Sequence, residues 1–206
     1  MTIERGVLDR LDDLGLRWYV TGSWALAAYA EPRMTRDIDV VLELTPADYE
    51  GKVRPAFEDD FLVNDAIDVG GRWMGGLIHR TELVRVDLMF GRTDAWARSA
   101  MERRQSIDHP ILGPVWLITA EDLIIAKLEW SDGTSELQLR DVRSIIRLVV
   151  GLDWGYIERY AALLGIGEHL DTGIAVGGVE FDLEPRIIER LGRFLRRPRH
   201  VRGDQR

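Results

Sequence analysis

Residues 21–44, TGSWALAAYAEPRMTRDIDVVLEL, decide how this chain reads. Gly22-Ser23 marks a turn, with Ser23 placed to cap the small-residue helix WALAAYA that Pro32 ends. Asp37–Leu44 alternates and then runs apolar, which predicts a strand with one buried face. Successive side chains on a strand point to opposite faces, so Asp37 and Asp39 project together while Ile38 enters the core. Two neighbouring carboxylates repel unless a cation sits between them, and a hard divalent ion with oxygen ligands, Mg²⁺ above all, suits that donor set.

A third acid lies downstream in LVRVDLMF, residues 83–90. Val84, Val86 and Leu88 share one face of that strand; Arg85, Asp87 and Met89 share the other. Pairing of this strand beside DIDVV would bring Asp87 to Asp37 and Asp39, and three carboxylates on adjacent strands can hold a pair of metal ions. Gly22 and Ser23, at a helix N-terminus, offer backbone N–H groups and a hydroxyl to terminal phosphates, and glycine lets phosphate approach the backbone closely.

The Gly-Ser turn, the Asp-x-Asp strand and the third acid together resemble the signature of the DNA polymerase β-like nucleotidyltransferase superfamily. The run Arg33-x-Thr35-x-Asp37-Ile38-Asp39 narrows the likeness to AbiEii/AbiGii toxin-type and related bacterial nucleotidyltransferases. Their acid-Leu-Ile…Lys helix and Arg-Asp helix are matched by EDLIIAKLEW (121–130) and QLRDVRSII (138–146). The resemblance spans residues 17–165 and implies that Lys127 and Asp141 belong to an active site.

Helical spacing in those two segments turns Lys127 inward, with Glu121, Asp122 and Glu129 on the other side. The apolar arc of the second helix takes Leu137, Leu139, Val142, Ile145, Ile146, Leu148 and Val149, and Gln138 and Asp141 fall inside it. An inward lysine needs an anion. Either Lys127 and Asp141 form a structural ion pair, or Lys127 meets nucleotide phosphate while Asp141 orients it or contacts the acceptor. Arg33 and Arg36 are phosphate ligands or charge-neutralising neighbours of the acids. Thr35 is expected to support the turn through a backbone hydrogen bond.

Around this centre the chain reads as a helix over 3–14, a strand over 17–21, and a helix capped by Thr45 with Pro46 in its first position. FLVND (61–65), GGLIHR (75–80) and LVRVDLMF are antiparallel strand candidates, with Gly70, Gly71, Gly75 and Gly76 in hairpin turns or bulges. A helix over 93–104 and a strand over 115–119 follow, then helices over 120–130, 136–150, 153–164 and 184–197. The predicted fold is α/β (α+β): a small mixed sheet carrying the acids, with helices packed on it. The expected organisation is a nucleotidyltransferase sheet core over 1–118, a helical C-terminal part over 119–200 and a frayed basic tail over 201–206.

Composition bounds the chemistry. The 206 residues are 46% hydrophobic and 30% charged, without cysteine. Thiolate metal sites, iron–sulfur clusters and cysteine nucleophiles are therefore excluded. No apolar run is long enough for a membrane span, and the acidic start does not read as a signal peptide, so a cytoplasmic protein is expected. Net charge is −8, yet residues 186–206 carry eight arginines against Glu189 and Asp204, leaving −14 on the rest. A body that acidic is not a general nucleic-acid binder, although the arginine-rich end could touch RNA. The four histidines are scattered without metal spacing, and no GxSxG elbow is present.

These readings converge on transfer of a nucleoside monophosphate from an NTP, with two Mg²⁺ ions, to an acceptor. The acceptor could be RNA such as a tRNA 3′ end, a small hydroxyl compound or a protein side chain, and a cognate antitoxin or partner protein is possible. A non-catalytic nucleotide- or partner-binding module on the same fold, and a metal-dependent phosphoesterase using water, are the alternatives.

Overall fold

The computed structural model describes residues 2–32, 35, 37–132 and 134–170. Helix α1 (Ile3–Asp13) begins at Thr2, whose side chain accepts from the Arg5 N–H. It leads into β1 (Trp18–Thr21), α2 (Gly22–Tyr29) and β2 (Asp37–Leu42). Next come α3 (Pro46–Asp48), a π-helical turn Tyr49–Val53, and α4 (Arg54–Phe57). Thr45 and Asp48 bond reciprocally as a capping box with Pro46 in the first turn, the arrangement that pre-organises a helix start.

Four strands follow: β3 (Phe61–Val63), β4 (Ile67–Asp68), β5 (Trp73–His79) and β6 (Arg85–Phe90). Helix α5 (Ala95–Arg103) leads to a hairpin of β7 (Gln105–His109) and β8 (Gly113–Leu117). Helices α6 (Ala120–Ser131), α7 (Glu136–Leu148) and α8 (Trp154–Leu163) follow, and the last described residues, 167–170, are helical as well.

All eight strands form one mixed sheet in the order β3-β5-β6-β2-β1-β8-β7, with β4 also on β5. β2 pairs parallel with β6, β1 pairs parallel with β8, and the other pairings are antiparallel. The back of the sheet is apolar. Val20, Ile38, Val40, Val86 and Leu88 are all buried. Trp18 bonds through Nε1 to Asp12 at 2.8 Å, tying β1 to α1. The Tyr49 ring stacks on Phe90 with centroids 4.9 Å apart. It fits there because Gly75 has no side chain: a Cβ at Gly75 would lie 2.4 Å from Tyr49. The opposite face carries the acids and is roofed by α5 and α6.

Several expectations need correction. Gly75 and Gly76 lie inside β5, as the strand reading of GGLIHR has them and not in the turns or bulges also expected of them; Gly70 and Gly71, both at positive φ, form the turn. Helix α2 starts at Gly22, so Ser23 sits in its first turn and Thr21 holds the cap position without a side-chain bond. Leu137 and Leu148 are 43% and 49% exposed, because α7 packs a narrower stripe than its sequence pattern offers. Asp122, expected on the outer side of its helix, is fully buried. Strands β4 and β7 were not anticipated, being short and mostly polar at their exposed positions. The helix expected over 184–197 and the basic tail lie outside the described residues.

Candidate active site

Register builds the site. Asp39 on β2 stands opposite Thr21 of β1 on one side and Asp87 of β6 on the other. Asp37 stands opposite Arg85. Burial alternates along β2, with Ile38, Val40 and Leu42 inside and both aspartates half-buried. Opposed residues in a ladder point to the same face. The pairing of LVRVDLMF beside DIDVV, expected without a direction, is parallel, and it puts all three acids on one face of adjacent strands.

Their side chains are not gathered into a cage. Among the described residues, no three His, Cys, Asp or Glu groups are placed to hold a metal ion together. Asp87 instead accepts a hydrogen bond from Arg85 Nε at 2.8 Å. That bond holds the Arg85 guanidinium above its ordinary pKa, with Asp37 and Asp39 adding attraction. The donor set still suits a hard cation: three carboxylates on one face, with Asp39 and Asp87 directly opposed.

The turn before α2 is fitted to Asp39. Gly22 has φ +62°, a left-handed conformation that disfavours side chains, and the Asp39 carboxylate occupies the space where its Cβ would be. Ser23 is 5% exposed beside it. The start of β2 is braced by Trp24 Nε1 and Thr35 Oγ1, each donating to the Asp37 carbonyl at 3.1 Å; Thr35 makes the backbone bond expected of it. Arg33 and Arg36 lie outside the described residues.

Lys127 and Asp141 meet across α6 and α7. Lys127 Nζ is 2.7 Å from Asp141 Oδ2 and 3.1 Å from Gln138 Oε1. Both charged side chains are under 5% exposed. Lys127 and Gln138 also line a cavity of about 280 Å³ together with Gly22, Ser23 and Asp39. Lys127 thus faces the cavity while Asp141 backs it from α7.

That cavity extends along the sheet. Its floor is Tyr19, Val41, Met89 and Met74, and its roof includes Ala126 and Trp130 of α6 and Trp96 and Met101 of α5. At its edge Glu129 pairs with Arg92 at 2.6 Å and Arg72 at 3.3 Å. Each guanidinium also covers an indole, Arg92 over Trp96 and Arg72 over Trp130.

Asp122 is the residue the sequence reading missed. It accepts from Trp96 Nε1 at 2.9 Å, Tyr156 Oη at 2.7 Å and Thr119 Oγ1 at 2.7 Å. Burial pushes its carboxyl above the usual range, opposed by the Tyr156 and Thr119 hydrogen bonds and the Arg103 charge. The spacing Thr119-x-x-Asp122 was the available signal, since it matches a helix cap that draws the acid back toward the chain. The network fixes Trp96 in the cavity wall.

No protein-family model matches this chain, and no curated protein matches it in sequence. Solved structures do match in fold. One is ANT(2″)-Ia in complex with adenylyl-2″-tobramycin: 16% identity, TM-score 0.51, covering 80% of this chain and 98% of that one. Others are the lincosamide antibiotic adenylyltransferase LnuA, lincomycin-bound (14% identity, TM-score 0.47, 72% of this chain and 99% of that one), and an antigenic nucleotidyltransferase-like protein from Paracoccidioides brasiliensis (17% identity, TM-score 0.47, 83% and 89%). The mixed sheet with its packed helices is a nucleotidyltransferase fold.

Proposed function

We propose that this chain is a Mg²⁺-dependent nucleotidyltransferase that moves NMP from an NTP to a hydroxyl acceptor. The observation that carries the reading is the register of Asp39 opposite Asp87, beside a glycine turn shaped to the Asp39 carboxylate.

Asp37, Asp39 and Asp87 would hold the Mg²⁺ ions, which when bound supply charge neutralisation at the phosphates and a lowered pKa for the attacking hydroxyl. Gly22 and Ser23, at the α2 N-terminus, hold the β- and γ-phosphates through N–H groups and a hydroxyl. Asp87 accepts the proton of the acceptor hydroxyl. The acceptor oxygen bonds to the α-phosphorus as the bond from that phosphorus to the α,β-bridging oxygen breaks, and pyrophosphate leaves with the electron pair. Lys127 neutralises charge growing on the pyrophosphate, and Asp141 keeps the ammonium in place. Arg33 and Arg36, adjoining the acids in sequence, are assigned to the phosphates.

Kinship with the AbiEii/AbiGii toxin-type proteins, and a role in a toxin–antitoxin pair, rest on the EDLIIAKLEW and QLRDVRSII segments. A second reading, a partner- or nucleotide-binding module without catalysis, is favoured by one observation: Arg85 already occupies Asp87. Release of labelled pyrophosphate separates the two. γ-Labelled NTPs are incubated with Mg²⁺ and either total tRNA or a small-molecule extract. Acceptor-dependent release that Asp39→Asn abolishes supports transfer; NTP binding without release under any condition supports the module.

A further inference from the structure

The compartment beside the carboxylates has a chemistry of its own, and we infer that it receives the ring of the acceptor. The acceptor is then a small, uncharged, ring-bearing alcohol and not the end of a polynucleotide. This inference rests on the transfer reading above.

The register sets the geometry. Thr21, Asp39, Asp87 and Gly76 form one row across four strands. Two residues along, on the same face, Tyr19, Val41, Met89 and Met74 form the next row. Two residues of a strand span about 7 Å. A ring resting on Val41 and Met89 therefore reaches the carboxylate row with a hydroxyl carried on a one- or two-carbon arm.

The walls are apolar and partly fixed. Trp96 is held at its Nε1 by buried Asp122 and covered by the Arg92 guanidinium, so this part of the wall is fixed in place, which lowers the entropic cost of binding. Met74, Met89 and Met101 line the same space, and thioether side chains adapt to varied ring shapes. Charge points the same way. Three guanidiniums and two glutamates, Glu43 and Glu129, lie in the lining; Arg72 and Arg92 are already paired with Glu129, Arg92 with Asp94 as well, and Arg98 donates to the Thr93 carbonyl. An anionic ligand would have to compete with those carboxylates. A nucleic-acid strand needs an open basic track with stacking platforms, whereas this end of the 280 Å³ cavity is lined mainly by apolar and aromatic side chains, the lining of a small-molecule pocket.

The test uses the full chain and 2-phenylethanol as probe, with binding followed by ligand-observed NMR, alone and with α,β-methylene-ATP and Mg²⁺. Binding that persists or tightens when nucleotide is present, and that weakens at least about tenfold in both Ala97→Trp and Val41→Trp, is the expected result. Two variants on different elements guard against misfolding of either. Displacement of the probe by nucleotide would assign the compartment to the base and overturn the inference, as would unchanged probe binding in both folded variants or none in the wild type. In a second arm, transfer of label from α-labelled ATP to tRNA but not to 2-phenylethanol would also overturn it. If the probe binds while no nucleotide does, the transfer reading itself has failed, and the acceptor assignment falls with it.

Discussion

The Asp39 carboxylate fills the space that a side chain at residue 22 would need: a Cβ on Gly22 would lie 1.9 Å from one carboxylate oxygen and 2.6 Å from its carbon. The positive φ at Gly22 adds a second constraint. Gly22→Ala is expected to cost about 1–2 kcal/mol for the left-handed backbone alone, with more from displacing Asp39. Nucleotide binding should fall further than stability does. Parallel melting curves and NTP titrations check this; an alanine variant that binds nucleotide normally would mean that the turn and the acid are not coupled.

Lys127 and Asp141 are a buried pair, and removing one partner strands the other. Lys127→Met should lose about 3–5 kcal/mol of stability, read from urea unfolding. The double variant Lys127→Met/Asp141→Leu should recover much of that loss, since an apolar pair of similar bulk can replace a buried ion pair. Transfer activity should stay absent in the double variant. Recovery of both stability and activity would leave the pair a purely structural role.

Arg85 competes with any cation for Asp87. Arg85→Ala removes the 2.8 Å bond and should lower the Mg²⁺ concentration that half-saturates NTP binding, with little loss of fold stability because Arg85 is exposed. A higher Mg²⁺ requirement in the variant would show that Arg85 supports the site.

His109 predicts a pH dependence. It is buried, and its Nδ1 accepts from the backbone N–H groups of Ile111 at 3.3 Å and Leu112 at 3.2 Å. Burial lowers its pKa below the ordinary 6.5. Between that lowered value and 6.5 the unfolded chain binds more protons than the folded one, so stability declines as pH falls through this window. His109→Asn, which can keep an acceptor near Nδ1, should flatten the decline in melting temperature below pH 6.5.

The acids and their strand were legible because alternation on a half-buried strand fixes the side-chain face, and Asp37-Ile38-Asp39 states it in three residues. The inward turn of Lys127 and Asp141 was legible for a related reason: apolar neighbours at helical spacing surround them. Asp122 was not, because its burial depends on Trp96 and Tyr156, which reach it from α5 and α8. Periodicity within one helix cannot report partners that distant. The turn-or-bulge reading of Gly75 fails for the same reason: inside the GGLIHR strand it makes room for Tyr49, which lies elsewhere in the sequence. The Arg85–Asp87 contact was also hidden, since two residues known to share a strand face give no sign of whether they bond to each other or to a ligand.

Thermal stability of the purified protein with each of the four NTPs, with and without Mg²⁺, beside Asp37→Ala/Asp39→Ala, tests the central claim most directly. The account predicts a rise in melting temperature that needs both NTP and Mg²⁺, disappears with EDTA, and is absent in the double variant. An equal rise in the double variant, or one indifferent to Mg²⁺, would contradict it.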